Sequence, residues 1–241
     1  MSQLLLALDT SGKHGSVALA RVAGEAEVTV VEAAALAGGT FSAELVPQIA
    51  GLLARHGFKP SDFCGFAVVS GPGSFTGLRM GLAAIKALAE VLQKPIAAIS
   101  LLEAVTWSAG GHARILAALD AGRSEVYVGD YEVADFPHMH SERLLTREEF
   151  LAEARGTRFS GEEVRGEVHR NDKRIVTPDA ALGEMLHSAG VPCELVAYPT
   201  SEVIARLGWQ HIRVGRTVGT EELEANYIRR SDAEIFSPPR H

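Results

Sequence analysis

Residues 4–22, Leu4-Leu5-Leu6-Ala7-Leu8-Asp9-Thr10-Ser11-Gly12-Lys13-His14-Gly15-Ser16-Val17-Ala18-Leu19-Ala20-Arg21-Val22, read as strand, turn and strand. The first strand is apolar and ends at Asp9. Thr10 to Gly15 make a tight turn, and Ser16 to Val22 form the second strand. A third strand is expected from Ala26 to Glu32. Connections this short favour an antiparallel hairpin meander. A dinucleotide-binding fold would put a helix directly after its first strand. Here the first helix follows the third strand, which sets that architecture aside.

That helix is expected over Ser42–His56, with Leu45, Ile49, Leu52 and Leu53 as its apolar stripe. Ser42 is placed to cap it, with Phe41 packing on Val46 as a hydrophobic staple. Pro47 would delete one internal hydrogen bond, so the helix either kinks or begins a turn later. Phe63–Val69 reads as a fourth strand and Thr76–Leu92 as a helix, with Leu78, Leu82, Ile85, Ala89 and Leu92 at helical spacing. A short strand over Pro95–Ile99 and a helix over Leu101–Ala109 follow. Gly110-Gly111 marks a lobe boundary.

The pattern then restarts. Arg114–Leu119 reads as a strand ending at Asp120, Ala121-Gly122-Arg123 as a turn, and Glu125–Glu132 as a strand. Two segments that each open with strand, Asp-containing turn and strand suggest internal duplication. Ser141–Asp172 is polar and irregular, with a short helix near Arg147–Ala154. His138 and His140 are expected to be solvated in a loop. Helices are expected from Pro178 to near Gly190 and from Pro199 to about Val214, and an extended tail from Thr220 to His241.

The 241 residues are 46% hydrophobic and 22% charged, as in a soluble globular protein. A chain of this size buries about 70% of the surface its unfolded form exposes, so it needs no disulfide or metal staple. The formal charge of −7 disfavours general attraction to nucleic acid or anionic membrane. The two cysteines, Cys64 and Cys193, make no metal pattern, and Cys64 is expected to be a buried free thiol. No signal-like leader and no apolar run of ~18 residues is present, so a cytosolic protein without membrane contact is expected.

The most unusual stretch is Ser70-Gly71-Pro72-Gly73-Ser74-Phe75-Thr76-Gly77-Leu78-Arg79, at a strand-to-helix junction. Ser74 or Thr76 can cap the helix. The loop could cradle an anion at the helix N-terminus, or its glycines could allow close packing of backbone on backbone. It is neither a Walker A loop nor a dinucleotide fingerprint. Phe75 is either core or contact. Arg79 could meet a partner carboxylate, a nucleic-acid phosphate or solvent, and a protein contact fits the acidic total better.

Ser70–Arg79 resembles the signature of the partner subunit in bacterial tRNA threonylcarbamoyladenosine synthesis. Leu6-Ala7-Leu8-Asp9-Thr10, Ala118–Tyr127 and Asn226-Tyr227-Ile228-Arg229-Arg230 resemble it too, in family order across nearly the whole chain. The resemblance implies an α/β, two-lobed fold of the actin and sugar-kinase (ASKHA) type, with mixed sheets flanked by helices. The lobes would be 1–109, carrying the partner-binding helices, and 110–215, with 216–241 a tail that can return to the first lobe. Family members look like inactive paralogues of the subunit that threonylcarbamoylates adenosine 37 in tRNAs reading ANN codons. The implied partners are that catalytic subunit, a small ATPase subunit and, for the chain alone, a second copy, with tRNA the substrate of the complex. The implied partner-binding residues are Phe41, Leu45, Phe75, Thr76, Gly77, Leu78 and Arg79, with Gly71, Pro72, Gly73 and Ser74 as the signature loop. A bulky residue at Gly77 is expected to weaken pairing more than folding.

Asp9 and Asp120 sit where a kinase of this fold holds phosphate and Mg²⁺. The chemically bland alternative is that Asp9 accepts hydrogen bonds from its own turn and that Asp120 does so or pairs with Arg123. The two are taken as vestigial nucleotide-type turns. The catalytic relative carries a His-x-x-x-His pair on the helix after the meander; Thr40–Leu45 contains no histidine. No catalytic residue, metal site or cofactor is therefore expected in the isolated chain, and any ATP or ADP with Mg²⁺ would belong to a complex interface. The alternative is an ATP-dependent small-molecule kinase of the same fold. A protease is not supported, since no Ser/His/Asp or zinc set is evident.

Overall fold

The computed structural model describes residues 3–24, 27–37, 41–156 and 173–228. The chain divides into two compact units, 1–104 with 199–226, and 105–198 with 227–241.

The first unit is built on a five-stranded sheet. Its strands are β1 (Gln3–Asp9), β2 (His14–Ala23), β3 (Glu27–Ala37), β4 (Phe63–Gly71) and β5 (Ile96–Ser100). The order is β3-β2-β1-β4-β5. β1, β2 and β3 pair antiparallel, as the short turns require, while β4 and β5 join in parallel. β1 is buried on both faces from Leu4 onward, which is why it reads as a continuous apolar run.

Helices α1 (Phe41–Arg55) and α2 (Phe75–Leu92) cover one face. Leu45, Ile49, Leu52, Leu82, Ile85 and Ala89 meet Leu4, Leu6, Leu8, Phe66 and Val68 in one core. Each leucine, isoleucine, valine or phenylalanine among them contributes about 1.5–3 kcal/mol by leaving water. α1 starts at Phe41 with no late beginning, so Ser42 lies inside the helix. The expected staple is absent, because Val46 is 64% exposed. Pro47 also lies on the exposed face, where water can take the carbonyl its missing N–H leaves unpaired.

The other face carries α6 (Ser201–Arg213), packed on β1, β4 and β5. This corrects the expected lobe boundary, which put 199–215 in the second lobe. Small residues explain the seating: a Cβ on Gly208 would lie 2.2 Å from the Ala67 Cβ. Polar ties complete it. The Ser201 N–H donates to Ser16 Oγ at 3.1 Å, and buried His211 Nε2 lies 2.8 Å from Glu103 Oε1.

The second unit repeats the topology. Its strands are β6 (Ala113–Gly122), β7 (Glu125–Val133), β8 (Pro137–Thr146), β9 (Lys173–Thr177) and β10 (Glu194–Leu195), in the order β10-β9-β6-β7-β8. Read from its meander, this is the order of the first sheet, so the duplication suggested by two Asp turns extends to all five strands. α4 (Arg147–Arg155) and α5 (Ala180–Ser188) follow the third and fourth strands, as α1 and α2 do. Phe150, Leu182 and Leu186 pack on Leu116, Val126, Val128 and Ile175. α3 (Leu101–Ala109) contains the division between Ala104 and Val105.

Several local expectations change. Pro137–Thr146 is a strand, so His138 and His140 lie exposed on an edge strand and not in a loop. β9 and β10 were not anticipated. Cys64 is half-buried, and both cysteines are free. Burial pushes the Cys193 thiol up to about 11, which keeps it unreactive near neutral pH. The expected start of β3 at Ala26, the segment 157–172, Arg229, Arg230 and the rest of the tail lie outside the described residues. Among the described residues, no helix is long and apolar enough to cross a membrane.

Candidate functional site

The site begins where β1 ends. Asp9 is 1% exposed, and its Oδ1 accepts the Ser11 N–H at 2.8 Å and the Ser11 hydroxyl at 2.6 Å. Asp9 thus closes its own turn. Burial pushes its carboxyl above the usual carboxylate range, against the pull of the two Ser11 bonds.

The glycine-rich junction lies directly on this turn. The Ser74 N–H donates to the Ser11 carbonyl at 2.6 Å, and the Thr10 hydroxyl donates to the Gly77 carbonyl at 2.8 Å. A Cβ on Gly73 would lie 2.4 Å from Ser11 O, one on Gly77 2.1 Å from Thr10 O, and one on Gly81 2.3 Å from Thr10 Oγ1. Side chains there would overlap neighbouring atoms, so the glycines serve backbone-to-backbone approach. The close packing expected of these glycines is therefore present. Gly81 was missed, although Gly77 and Gly81 lie four residues apart on one row of α2 and Gly73 precedes them at the same spacing in the loop. Ser74, and not Thr76, is the N-cap, accepting the Gly77 N–H at 3.3 Å.

The seven residues expected at the partner surface therefore divide. Phe41, Leu45, Gly77 and Leu78 are buried. The Phe41 ring fills the space over Gly15, whose Cβ would meet it at 2.7 Å. A bulky residue at Gly77 must damage the fold itself, contrary to the expectation that pairing would suffer first. Phe75, Thr76 and Arg79 are exposed. The Arg79 Cζ stands 3.6 Å from the Phe75 ring centroid, a cation–π pair on the first turn of α2. Ala83, Ala87 and Val91 continue an exposed i+4 row from these two. On α1, Ala43 and Pro47 form one exposed row, and Val46, Ala50 and Ala54 another. Gly71 and Pro72 are buried, while Gly73 and Ser74 are exposed at the loop tip. Met80 is half-buried.

Asp120 differs from Asp9. It is exposed, and its Oδ1 accepts the Gly122 N–H at 3.3 Å and an Arg147 N–H at 3.4 Å. Arg147 on α4 thus takes the place expected of Arg123. The Asp120 N–H donates to Asp179 Oδ2 at 3.3 Å, a residue that the sequence did not single out. Gly122, Arg123 and Ser124 all have positive φ, at 72°, 51° and 63°. Among the described residues no group of three His, Cys, Asp or Glu side chains could hold a metal ion.

A family model for TsaD, tRNA N6-adenosine threonylcarbamoyltransferase, matches residues 35–138, from β3 to the start of β8. The tRNA threonylcarbamoyladenosine biosynthesis protein TsaB of Escherichia coli is 28% identical over 236 residues, covering 95% of this chain and 96% of that protein. The TsaB of Bacillus subtilis is 34% identical over 131 residues, 53% of this chain and 55% of its own length. Among solved structures, a Pseudomonas aeruginosa protein with similarity to peptidase YeaZ superposes with a TM-score of 0.71 at 26% identity, covering 94% of this chain and 100% of the other. YeaZ from Pseudomonas aeruginosa gives 0.68 at 25%, over 93% and 99% of the two chains. Similarity that runs along almost the full length, in sequence and in fold, marks the chain as similar to the TsaB and YeaZ proteins.

Proposed function

We propose that this chain is a cytoplasmic assembly subunit for threonylcarbamoylation of adenosine 37 in tRNAs reading ANN codons. It performs no chemistry itself. It pairs with a TsaD-type catalytic subunit, helps recruit a small ATPase subunit, and self-associates through the same face when alone. The ASKHA ancestry fits the two repeated sheets, and nucleotide with Mg²⁺ belongs to the assembled complex.

The observation that carries this reading is the outer face of α1 and α2. Phe75 is 53% exposed, Val46 64% and Val91 80%, on rows otherwise occupied by alanines, Pro47 and Arg79. Rows of small residues at i+4 spacing are the ridges that let one helix pair dock into the grooves of another. An aromatic and an arginine at their end have the character of interface anchors. A stable contact would need to bury upward of ~1,000 Å² in total.

The kinase alternative loses its central residue. Asp9 is enclosed at 1% exposure, and the loop that would face phosphate is bonded to Thr10 and Ser11. Phe41 and Leu45, which have the spacing of the relative's histidine pair, are in the core.

Reconstitution tests the proposal. Catalytic subunit, ATPase subunit and tRNA are combined with and without this chain, and modified adenosine is measured by mass spectrometry. Modification is expected only with the chain present. Full modification in its absence overturns the proposal.

A further inference from the structure

The glycine-rich junction is gripped from a second side, by the chain that follows α6. The Val218 N–H donates to the Ile96 carbonyl at 2.9 Å, pairing the returning segment with edge strand β5. The Thr220 hydroxyl lies 2.6 Å from Glu90 Oε2, in the last turn of α2. A local turn, with Leu223 N–H donating to Gly219 O at 3.0 Å, drops Leu223 into the core at 1% exposure. The segment then ends on β4, where the Asn226 N–H donates to Ser70 O at 2.7 Å. The Asn226 carbonyl fills the space beside Gly71, whose Cβ would lie 2.6 Å from it, and Gly71 has φ 138°.

One segment therefore touches α2 in its last turn and the loop that leads into its first. α2 has 18 residues, a rod of about 27 Å. A rod fixed at both ends cannot slide along its axis or tilt without breaking a bond at one of them. Inside, the glycine row admits Thr10 and Ser11 only at one axial setting, so a small slip would bring backbone atoms into collision.

We propose that Val218–Asn226 is a strap that sets the axial position of α2, with Thr220 and Asn226 as its positioning residues. Its purpose rests on the partner-subunit reading above: the strap fixes where Phe75 and Arg79 stand on the docking face, though neither strap residue need touch the partner.

The test uses the full chain with Asn226→Pro, which removes the N–H held by Ser70, and with Thr220→Val and Thr220→Ser. Amide hydrogen exchange and affinity for a TsaD-type subunit are both measured. Asn226→Pro is expected to speed exchange at Ser74, Gly77 and Leu78 by about tenfold, leaving Leu6 and Leu8 of β1 at their original rates. Affinity should fall by about tenfold as well. Thr220→Val should weaken pairing by about threefold and Thr220→Ser should restore it.

Exchange unchanged at Ser74–Leu78 in Asn226→Pro and in the last turn of α2 in Thr220→Val overturns the strap. Faster exchange with undiminished affinity overturns its positioning role. If Asn226→Pro does not fold, the Thr220 pair decides on the same two readouts. If Phe75→Asp also leaves pairing intact, the docking face has been misassigned, and the strap is then judged on exchange alone.

Discussion

The two units share one strand order but use the turn after their first strand in opposite ways. In the first, Asp9 is enclosed and the glycine row of α2 rests on Thr10 and Ser11. In the second, Asp120 is exposed, and α5 approaches its turn through Asp179. The helix after the fourth strand has 18 residues in the first unit and 9 in the second. Duplication preserved the backbone plan, while side-chain size at a few positions decided whether the turn stayed open. A sealed turn gives a rigid base for a long helix.

The sharpest way to break this contrast is a paired glycine test. Gly77 and Gly183 are buried glycines of α2 and α5. A Cβ on Gly77 would meet backbone at 2.1 Å, whereas one on Gly183 would meet the movable end of Leu195 at 3.1 Å. Gly77→Ala should therefore cost about 3 kcal/mol of unfolding free energy, at the upper end for overpacking. Gly183→Ala should fall within about 1 kcal/mol of wild type, since helix propensity offsets a mild contact. Urea denaturation of both variants reads the difference. Equal costs would erase the distinction between a sealed and an open turn.

A second test concerns the buried carboxylates, which should respond to acid with opposite signs. Asp130 of the second unit bonds Arg114 Nε at 2.9 Å and Lys173 Nζ at 2.7 Å. Burial raises its pKa, but the bonds to Arg114 and Lys173 outweigh it and leave the carboxyl below its ordinary value. Its stabilisation is thus present above the unfolded value of 3.8 and fades as pH falls through the lower folded one. Asp130→Asn should cost about 2 kcal/mol at neutral pH and less in acid. Asp9 behaves in reverse: its folded value is raised, so its contribution is fully present below 3.8 and is lost as pH rises through the folded value. Asp9→Asn should therefore compare best with wild type at neutral pH and worst in acid. Denaturation midpoints at pH 3.5 and pH 7 check both signs; a parallel pH response of the two variants would contradict the geometry.

The smallest stability effect belongs to the docking face. Phe75→Ala should change unfolding free energy by no more than about 0.5 kcal/mol, as an exposed position does. The same variant should weaken pairing with a TsaD-type subunit by at least about tenfold, measured by calorimetry. A large stability loss would show that Phe75 belongs with the sealed turn.

Much of the plan was legible from periodicity. The meander, the first two long helices and the restart at Arg114 follow from alternation and from apolar residues three and four apart. The same periodicity already held the answer for Leu45 and Leu78, which sit on the apolar stripes that must face the core; assigning them to a partner surface set the resemblance against that rule. β8 escaped because one face of an edge strand is solvated, so His138, His140 and Glu142 read as loop. α6 was seen as a helix, but its destination was not, since sequence spacing fixes which residues share a face and says nothing of which sheet that face will meet. The loop's role depended on atoms 67 positions apart in the chain, Thr10 and Gly77, a distance over which local reading has no reach.

The return of α6 to the first sheet has a temporal side. A chain emerging from the ribosome has made β1 to β5 long before residues 201–213 exist. Until then Ala67, Ala97 and their neighbours on that face have no cover, and a nascent polypeptide halted near Gly110 would expose an apolar sheet to chaperones and to other growing chains. Maturation of the amino-terminal half is thereby tied to the completion of synthesis, and splitting the gene at the duplication point would yield two halves of which the first lacks its lining.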